Sequence, residues 1–163
     1  MFPGLKKFRV GEGPFPSLIP GELEERLRTI GGEFGATTGR ARKCGWLDLQ
    51  LLKYGQWLQG YNSFNVTKLD CLANLGDLEV VVGYEIDGKK VHGMPAQIDE
   101  MWKVKCVTET LKGWTEDISE CRKWSELPLA AREYIEFMET ETGVPVSWIG
   151  VGADREAMIL RDI

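Results

Sequence analysis

The sequence is poor in the residues that most metal and redox sites require. It contains one histidine, His92, and four cysteines, none of which lies in a CxxC pair. Because a tetrahedral zinc site needs several such ligands at short spacings, we expect no metal site here. His92 follows a turn among polar residues and is expected at the surface. Four scattered thiols (Cys44, Cys71, Cys106 and Cys121) are expected to be reduced, small and partly buried.

Long apolar runs and an excess of positive charge are also absent. No stretch is long enough for a membrane-spanning helix or for the apolar part of a secretory leader. The net charge of -5 argues against general affinity for nucleic acid or for an anionic membrane surface. We therefore expect a cytoplasmic protein that binds neither nucleic acid nor membrane.

What is present is typical of one globular domain. The chain has 163 residues, of which 43% are hydrophobic and 28% charged. Apolar residues recur at helical spacing in three segments: "GELEERLRTI", "WLDLQLLKYGQWLQGY" and "ELPLAAREYIEFMETET". The second helix is predicted to run from Trp46 to near Gly60. The third is predicted to be capped by Ser125 and ended by Gly143.

Four β-prone segments alternate with these helices, and they are "SFNVTKL", "LEVVVGYEI", "VKCVTETL" and "VPVSWIGVG". Asp87-Gly88 is a strong hairpin signal. The proline- and glycine-rich residues 1–20 are predicted to be irregular. The alternation predicts an α/β fold with a β-hairpin insertion.

The segment "GGEFGATTGRARKCGW" at 31–46 concentrates small residues and positive charge. Glycines let a backbone approach a ligand closely, and threonine hydroxyls and the arginines Arg40 and Arg42 suit an anion. The amides that begin the following helix would add to such a site. The segment therefore indicates an anion-binding loop, with a solvated turn of incidental charge as the alternative.

Two other loops follow predicted strands. "TKLD" at 67–70 is similar to the segment with which GTP-binding proteins recognise guanine, although four residues are a weak pattern and a solvated strand end is the alternative. "GVGADR" at 150–155 comes after the last predicted strand, where its glycines either contact a ligand or serve only the turn. Loops at the carboxyl ends of strands line the ligand crevice of α/β sheets.

Taken in order, these motifs resemble the adenylosuccinate synthetase family. The resemblance rests on five segments across nearly the whole chain: "VGEGPFP", "GGEFGATTGRARKCGWLDL", "NVTKLD", "GWTEDIS" and "VPVSWIGVGADRE". It implies the C-terminal part of a mostly parallel-sheet nucleotide-binding fold. It also implies an enzyme that joins IMP to L-aspartate with GTP and Mg²⁺ on the way to AMP, and that is homodimeric when complete.

The resemblance also implies roles for particular residues. The aspartate-binding loop matches Ala36, Thr37, Thr38, Gly39, Arg40, Ala41 and Arg42. Arg40 also matches an IMP contact, and Arg42 a contact on the GTP side. The guanine contacts match Lys68, Leu69, Asp70, Gly150, Val151 and Gly152. Alanines replace common prolines at Ala41 and Ala153, which affects loop stiffness rather than chemistry.

The family's phosphate loop "GDEGKG" and its catalytic histidine have no match among residues 1–163. We therefore expect the catalytic residues and the Mg²⁺ ligands to lie in an N-terminal half that this sequence lacks, and the chain alone to be inactive. One alternative is a stand-alone GTP- or aspartate-binding regulatory protein without catalysis. Another is an α/β domain without a ligand.

Overall fold

The computed structural model describes the backbone of residues 7–9 and the whole of residues 13–161. The chain divides into two compact units, which are described separately. The first unit comprises the described residues up to 59 together with Glu79–Thr110. The second unit comprises Gly60–Leu78 and the described residues from Leu111 onward.

The first unit contains three helices and six strands. In chain order they are β1 (Lys7–Arg9), α1 (Glu22–Ile30), β2 (Lys43–Gly45), β3 (Leu47–Asp48), α2 (Leu49–Gln59), β5 (Leu78–Ile86), β6 (Lys89–Val91), α3 (Ile98–Met101) and β7 (Lys105–Leu111). The first residue of β5, Leu78, and the last residue of β7, Leu111, belong to the second unit. The second unit contributes β4 (Phe64–Val66), α4 (Leu129–Thr142), β8 (Val146–Gly150) and β9 (Met158–Leu160).

Parallel and antiparallel pairs are mixed in the described sheets. Strand β3 pairs parallel with β5, which also pairs antiparallel with β6 and is bonded to β7. Strand β1 pairs antiparallel with β2. In the second unit β8 lies between β4, which runs parallel to it, and β9, which runs antiparallel. The α/β class and the hairpin between β5 and β6 are confirmed, and positive φ angles at Asp87 and Gly88 form its turn.

Several predicted boundaries are wrong. Helix α2 begins at Leu49 rather than Trp46, because Leu47–Asp48 form β3. Ser125 does not cap α4: it lies in a single 3₁₀ turn, and Pro128 precedes the helix, which begins at Leu129. A proline suits this place because it lacks the N–H that the first helical turn leaves unbonded.

The ends of the chain differ from expectation as well. Lys7–Arg9 form a strand where irregular chain is predicted, while residues 1–6 and 10–12, including most of "VGEG", lie outside the described residues. Strand β9 is missed altogether, since three residues give too short a pattern to recognise. Gly143 ends α4 in the left-handed conformation, as predicted.

Each unit has its own buried apolar residues. In the first unit α1 buries Leu27, and β5 buries Val80 and Val81. In the second unit α4, β8 and β9 all contribute fully buried apolar side chains, which include Ile135, Met138, Val146, Ile149 and Ile159. No described helix is both long and apolar enough to cross a membrane.

A close backbone approach in the second unit requires glycine at position 113. A Cβ atom built on Gly113 would lie 1.9 Å from the carbonyl oxygen of Gly76. We expect Gly113→Ala to destabilise the fold by about 3 kcal/mol, because a backbone atom has no rotamer by which to move away. Urea unfolding measures the loss. Gly83→Ala is the control, since its new Cβ would lie 3.6 Å from Val107; an equal loss in both variants would refute the steric argument.

Glu139 ties the end of α4 to two strands. Its Oε1 accepts a hydrogen bond from the backbone N–H of Val146 at 2.6 Å and from Arg161 Nη1 at 2.7 Å. The Arg161 guanidinium also lies 4.0 Å from the ring centroid of Trp124. The carboxylate therefore satisfies a backbone donor and a partly buried cation together.

We expect Glu139→Ala to lower the free energy of unfolding by about 2 kcal/mol, because the Val146 N–H loses its partner and Arg161 keeps only the longer bond to the Val146 carbonyl, at 3.3 Å. The exposed Glu136 on the same helix supplies the control variant Glu136→Ala, which should change stability by less than about 0.5 kcal/mol. Thermal and urea unfolding of both variants provide the measurement. Equal stability of the two would contradict the role of Glu139.

Candidate functional site

The predicted anion-binding loop is a short hairpin in the first unit. Phe34 and Ala41 form an antiparallel bridge, and the backbone N–H of Gly35 donates to the carbonyl of Arg40 at 2.8 Å. Gly39 closes the tip with a positive φ of 65° and a bond from its N–H to the Gly35 carbonyl. Phe34 is exposed, and so are the residues of the tip: Ala36, Thr37, Thr38, Gly39, Arg40 and Ala41. Six of the seven predicted aspartate-binding residues therefore lie together and face solvent.

Arg42 lies at the base of the hairpin rather than at its tip. Its Nη1 is 3.2 Å from Oε2 of Glu33, whose side chain is completely buried, while 31% of the Arg42 side chain is exposed. The backbone N–H of Arg42 donates to the carbonyl of Glu33 at 3.0 Å. Arg42 is thus held by its main chain and side chain, and its side chain keeps some exposure to solvent.

One of the amides at the start of α2, which the sequence predicts to add to an anion site, is bonded within the chain. Asp48 precedes the helix and accepts the backbone N–H of Leu51 at its Oδ1. Its Oδ2 accepts a 2.6 Å hydrogen bond from the hydroxyl of Tyr84. Burial, followed by the charge of Asp48, raises the pKa of Tyr84, so that this hydroxyl stays protonated and donates. The amide of Leu51 is therefore already paired with a carboxylate of the chain.

The two predicted guanine-binding loops meet in the second unit. Strands β4 and β8 are parallel neighbours, with Val66 opposite Ile149, so their carboxyl ends lie at one edge. A Cβ atom on Gly150 would lie 3.3 Å from Cα of Thr67, which shows how closely the loops approach. Lys68 turns the chain there with a left-handed φ of 62°. Pairing of the strands thus brings 67–70 beside Gly150–Gly152.

Asp70 lies at this junction, and one of its carboxylate oxygens accepts no hydrogen bond from the described residues. Its Oδ1 is buried and has no hydrogen-bond partner among the described residues. Its Oδ2 lies 3.6 Å from the thiol of Cys71, a weak donor. The flanking Leu69 and Cys71 are buried and fix the backbone on both sides. Because an unsatisfied buried acceptor costs roughly 1–3 kcal/mol, Asp70 is suited to receive donors from a ligand.

The second unit also has a groove that the sequence does not predict. Its cavity volume is 710 Å³, and its lining residues are Tyr61, Ser63, Phe64, Asn65, Trp148, Arg155, Glu156, Met158 and Leu160. Trp148 is 45% exposed and Leu160 57% exposed, so part of this wall is apolar. The buried Oδ1 of Asn65 lacks a partner among the described residues.

Other candidate groups can be placed as well. His92 is exposed, as predicted, and the four cysteines are free thiols. The described part of the chain contains no group of three or more histidine, cysteine, aspartate or glutamate residues that could hold a metal ion. Glu33 is a residue that the sequence analysis overlooked; the signal available was a carboxylate inside an otherwise small and basic loop.

The comparisons with known proteins agree on one family. The family model described as "Adenylosuccinate synthetase" matches residues 6–159. The adenylosuccinate synthetase of Paramecium tetraurelia is 48% identical over 94% of this chain and 36% of its own length, and that of Mycosarcoma maydis is 46% identical over 94% and 35%.

A solved structure agrees with these relatives. The chain is similar to that of the "fully ligated Adenylosuccinate synthetase from Plasmodium falciparum", with a TM-score of 0.94, 35% identity, and coverage of 98% of this chain and 39% of that one. The chain thus spans about a third of the length of the curated relatives that it matches. From the family match, the identities and the shared fold, the chain belongs to the adenylosuccinate synthetase family.

Proposed function

We propose that this chain forms the part of an adenylosuccinate synthetase that recognises L-aspartate and the guanine base of GTP. In this reaction the γ-phosphoryl group of GTP is transferred to the 6-oxygen of IMP, and the amine of aspartate then displaces phosphate. The product is adenylosuccinate. Family membership supports the reaction, and the arrangement of the two loops supports the division of roles.

The partnerless Oδ1 of Asp70 is the observation that carries the guanine assignment. A carboxylate only accepts hydrogen bonds, and the Watson–Crick edge of guanine offers two donors, N1–H and the exocyclic amine. Adenine has no donor at N1, so it would leave the carboxylate unpaired. An otherwise unsatisfied acceptor therefore favours guanine over adenine.

The residues around Asp70 suit the remainder of the base. The half-buried Lys68 has an apolar stem that can cover a ring while its ammonium stays in water. Gly150 and Gly152 present backbone with no side chain in the way, and the buried Val151 lies between them. Leu69 is fully buried and secures the turn from beneath. We assign the guanine contact to these residues together with Asp70.

The exposed hairpin suits an anionic substrate. L-Aspartate carries two carboxylates, which match the hydroxyls of Thr37 and Thr38, the backbone amides of the tip and the guanidinium groups of Arg40 and Arg42. In the proposal Arg40 also reaches IMP and Arg42 reaches GTP. Phosphoryl transfer depends mostly on such positioning and charge stabilisation.

No catalytic group or metal ligand is assigned to this chain. A Mg²⁺ ion prefers carboxylate oxygens and phosphate, and the described residues offer no carboxylate cluster for it. We therefore propose that the base, the acid and the Mg²⁺ ligands are supplied by other parts of a complete, homodimeric, cytoplasmic enzyme.

Asp70→Asn in a full-length synthetase that carries this segment tests the guanine assignment. Asparagine places a donor beside its acceptor, so it should weaken GTP and favour XTP, whose C2 carbonyl accepts. The ratio of kcat/KM for GTP to that for XTP should fall by roughly tenfold to more than a hundredfold. Asp77→Asn, at an exposed position of the same unit, should leave the ratio unchanged. An unaltered ratio in Asp70→Asn would exclude Asp70 as the guanine reader.

Arg40→Leu tests the substrate loop in the same enzyme. Loss of a bidentate contact should raise the KM for aspartate, lower kcat, or both, by at least about tenfold, because the substrate carboxylate is left unpaired. Lys43→Ala is the control, since Lys43 lies in β2 rather than in the exposed hairpin. Steady-state kinetics at fixed GTP and IMP give the answer. A wild-type KM for aspartate together with a wild-type kcat in Arg40→Leu would show that Arg40 does not bind the substrate.

A further inference from the structure

Glu33 is a charged residue in an unusual environment. Its side chain has no exposed surface, although it lies one residue before a hairpin whose tip is exposed. Glutamate is almost never fully buried unless it is paired. Its pairing with Arg42, at 3.2 Å, joins the residue before the hairpin to the residue after it. The ion pair therefore closes the base of the loop.

The main chain joins the same two residues. The carbonyl of Glu33 accepts the N–H of Arg42 at 3.0 Å, and the N–H of Glu33 donates to the carbonyl of Arg28 at 2.9 Å. Backbone and side chain together fix where the Arg42 guanidinium can lie relative to the hairpin. Main-chain bonds of this kind would survive removal of the Glu33 charge, whereas the ion pair with the Arg42 guanidinium would be lost.

Helix α1 holds the other side of Arg42. Arg28 Nε donates to the carbonyl of Arg42 at 2.8 Å, and Arg28 Nη2 lies 2.6 Å from Glu24. Glu24 also accepts the backbone N–H of Cys44 at 3.0 Å. The segment that follows the hairpin is therefore bonded to α1 at two successive points. Arg42 is thus held at its guanidinium by Glu33 and at its carbonyl by Arg28.

Stability alone does not account for an ion pair whose carboxylate is completely buried. Replacing a buried ion pair by apolar residues of similar volume is often neutral or stabilising, because desolvation costs much of the Coulombic gain. A carboxylate close to a loop for anionic substrates also lowers the positive charge of that loop. A role in orienting the arginine explains why the pair is present despite both costs. A guanidinium that is already held in place loses less conformational entropy when it binds a substrate anion.

We infer that Glu33 is a positioning residue that holds the Arg42 guanidinium in the orientation in which its exposed part meets a substrate anion. This inference rests on the proposed function, because it requires Arg42 to contact a substrate. Glu33 itself is completely buried and touches no substrate. Because its carboxylate pairs with Arg42, the effect of Glu33 should follow the substrates that Arg42 contacts.

The test is a double-mutant cycle of Glu33→Gln and Arg42→Leu in a full-length synthetase that carries this segment. Arg42→Leu should raise the KM for GTP, for aspartate, or for both. Glu33→Gln should raise the same constants by at least about fivefold and change kcat less, because the guanidinium remains but is no longer oriented. The double variant should be no worse than Arg42→Leu alone, since Arg42→Leu already removes the ion pair through which Glu33 is inferred to act.

Two further variants separate orientation from folding. Glu33→Asp keeps the charge with a shorter side chain and should recover part of the lost affinity relative to Glu33→Gln. Glu25→Gln removes a negative charge from an exposed position of α1 and should leave every KM unchanged. Melting temperatures of all variants show whether the fold is intact.

Each outcome bears on a separate claim. Additive effects in the double variant, a wild-type KM in Glu33→Gln, or identical behaviour of Glu33→Gln and Glu33→Asp would overturn the role of Glu33. If Arg42→Leu changes no kinetic constant, the assignment of Arg42 in the proposed function fails, and the inference fails with it. A defective Arg42→Leu beside a normal Glu33→Gln would overturn the inference alone.

Discussion

The parallel pairing of β4 with β8 is the constraint on which the candidate guanine site depends. It places the loops after both strands at one edge, although about 80 residues separate them in the sequence. The close packing of Gly150 against Thr67 then fixes how near the loops come. A side chain at Gly150 or a slipped register would move Asp70 relative to the glycine turn. Backbone geometry, rather than a set of charged contacts, therefore defines this part of the molecule.

The substrate loop relies on a different principle. Its exposed tip is built from small residues, and its shape comes from the backbone bonds of the hairpin, while charge is confined to Arg40 and to the buried pair of Glu33 and Arg42. Asp48 adds a further buried carboxylate, which caps α2 and accepts from Tyr84. Both buried acids have partners within the first unit, so they shape the loop and the helix without offering a surface to the ligand.

Sequence patterns predicted features that are set locally. Asp87-Gly88 predicts its hairpin because the turn needs positive φ angles at two adjacent residues, and these residue types adopt such angles readily. The start of α2 was misplaced because the apolar pattern continues from Trp46 without a break, and only pairing with β5 makes Leu47–Asp48 a strand. The family motifs predicted which loops bear the candidate site. They could not reveal the partnerless Oδ1 of Asp70 or the burial of Glu33, since both are set by how the folded chain packs around these side chains.

The central claim is that the loops that follow β4 and β8 in the second unit bind the guanine base. The most direct measurement is a titration of the isotope-labelled chain with GMP and, separately, with AMP, followed by NMR of the backbone amides. The account predicts shifts for GMP at Lys68–Asp70 and at Gly150–Gly152, with much smaller shifts for AMP. Equal shifts with both nucleotides, or shifts confined to other regions, would contradict it.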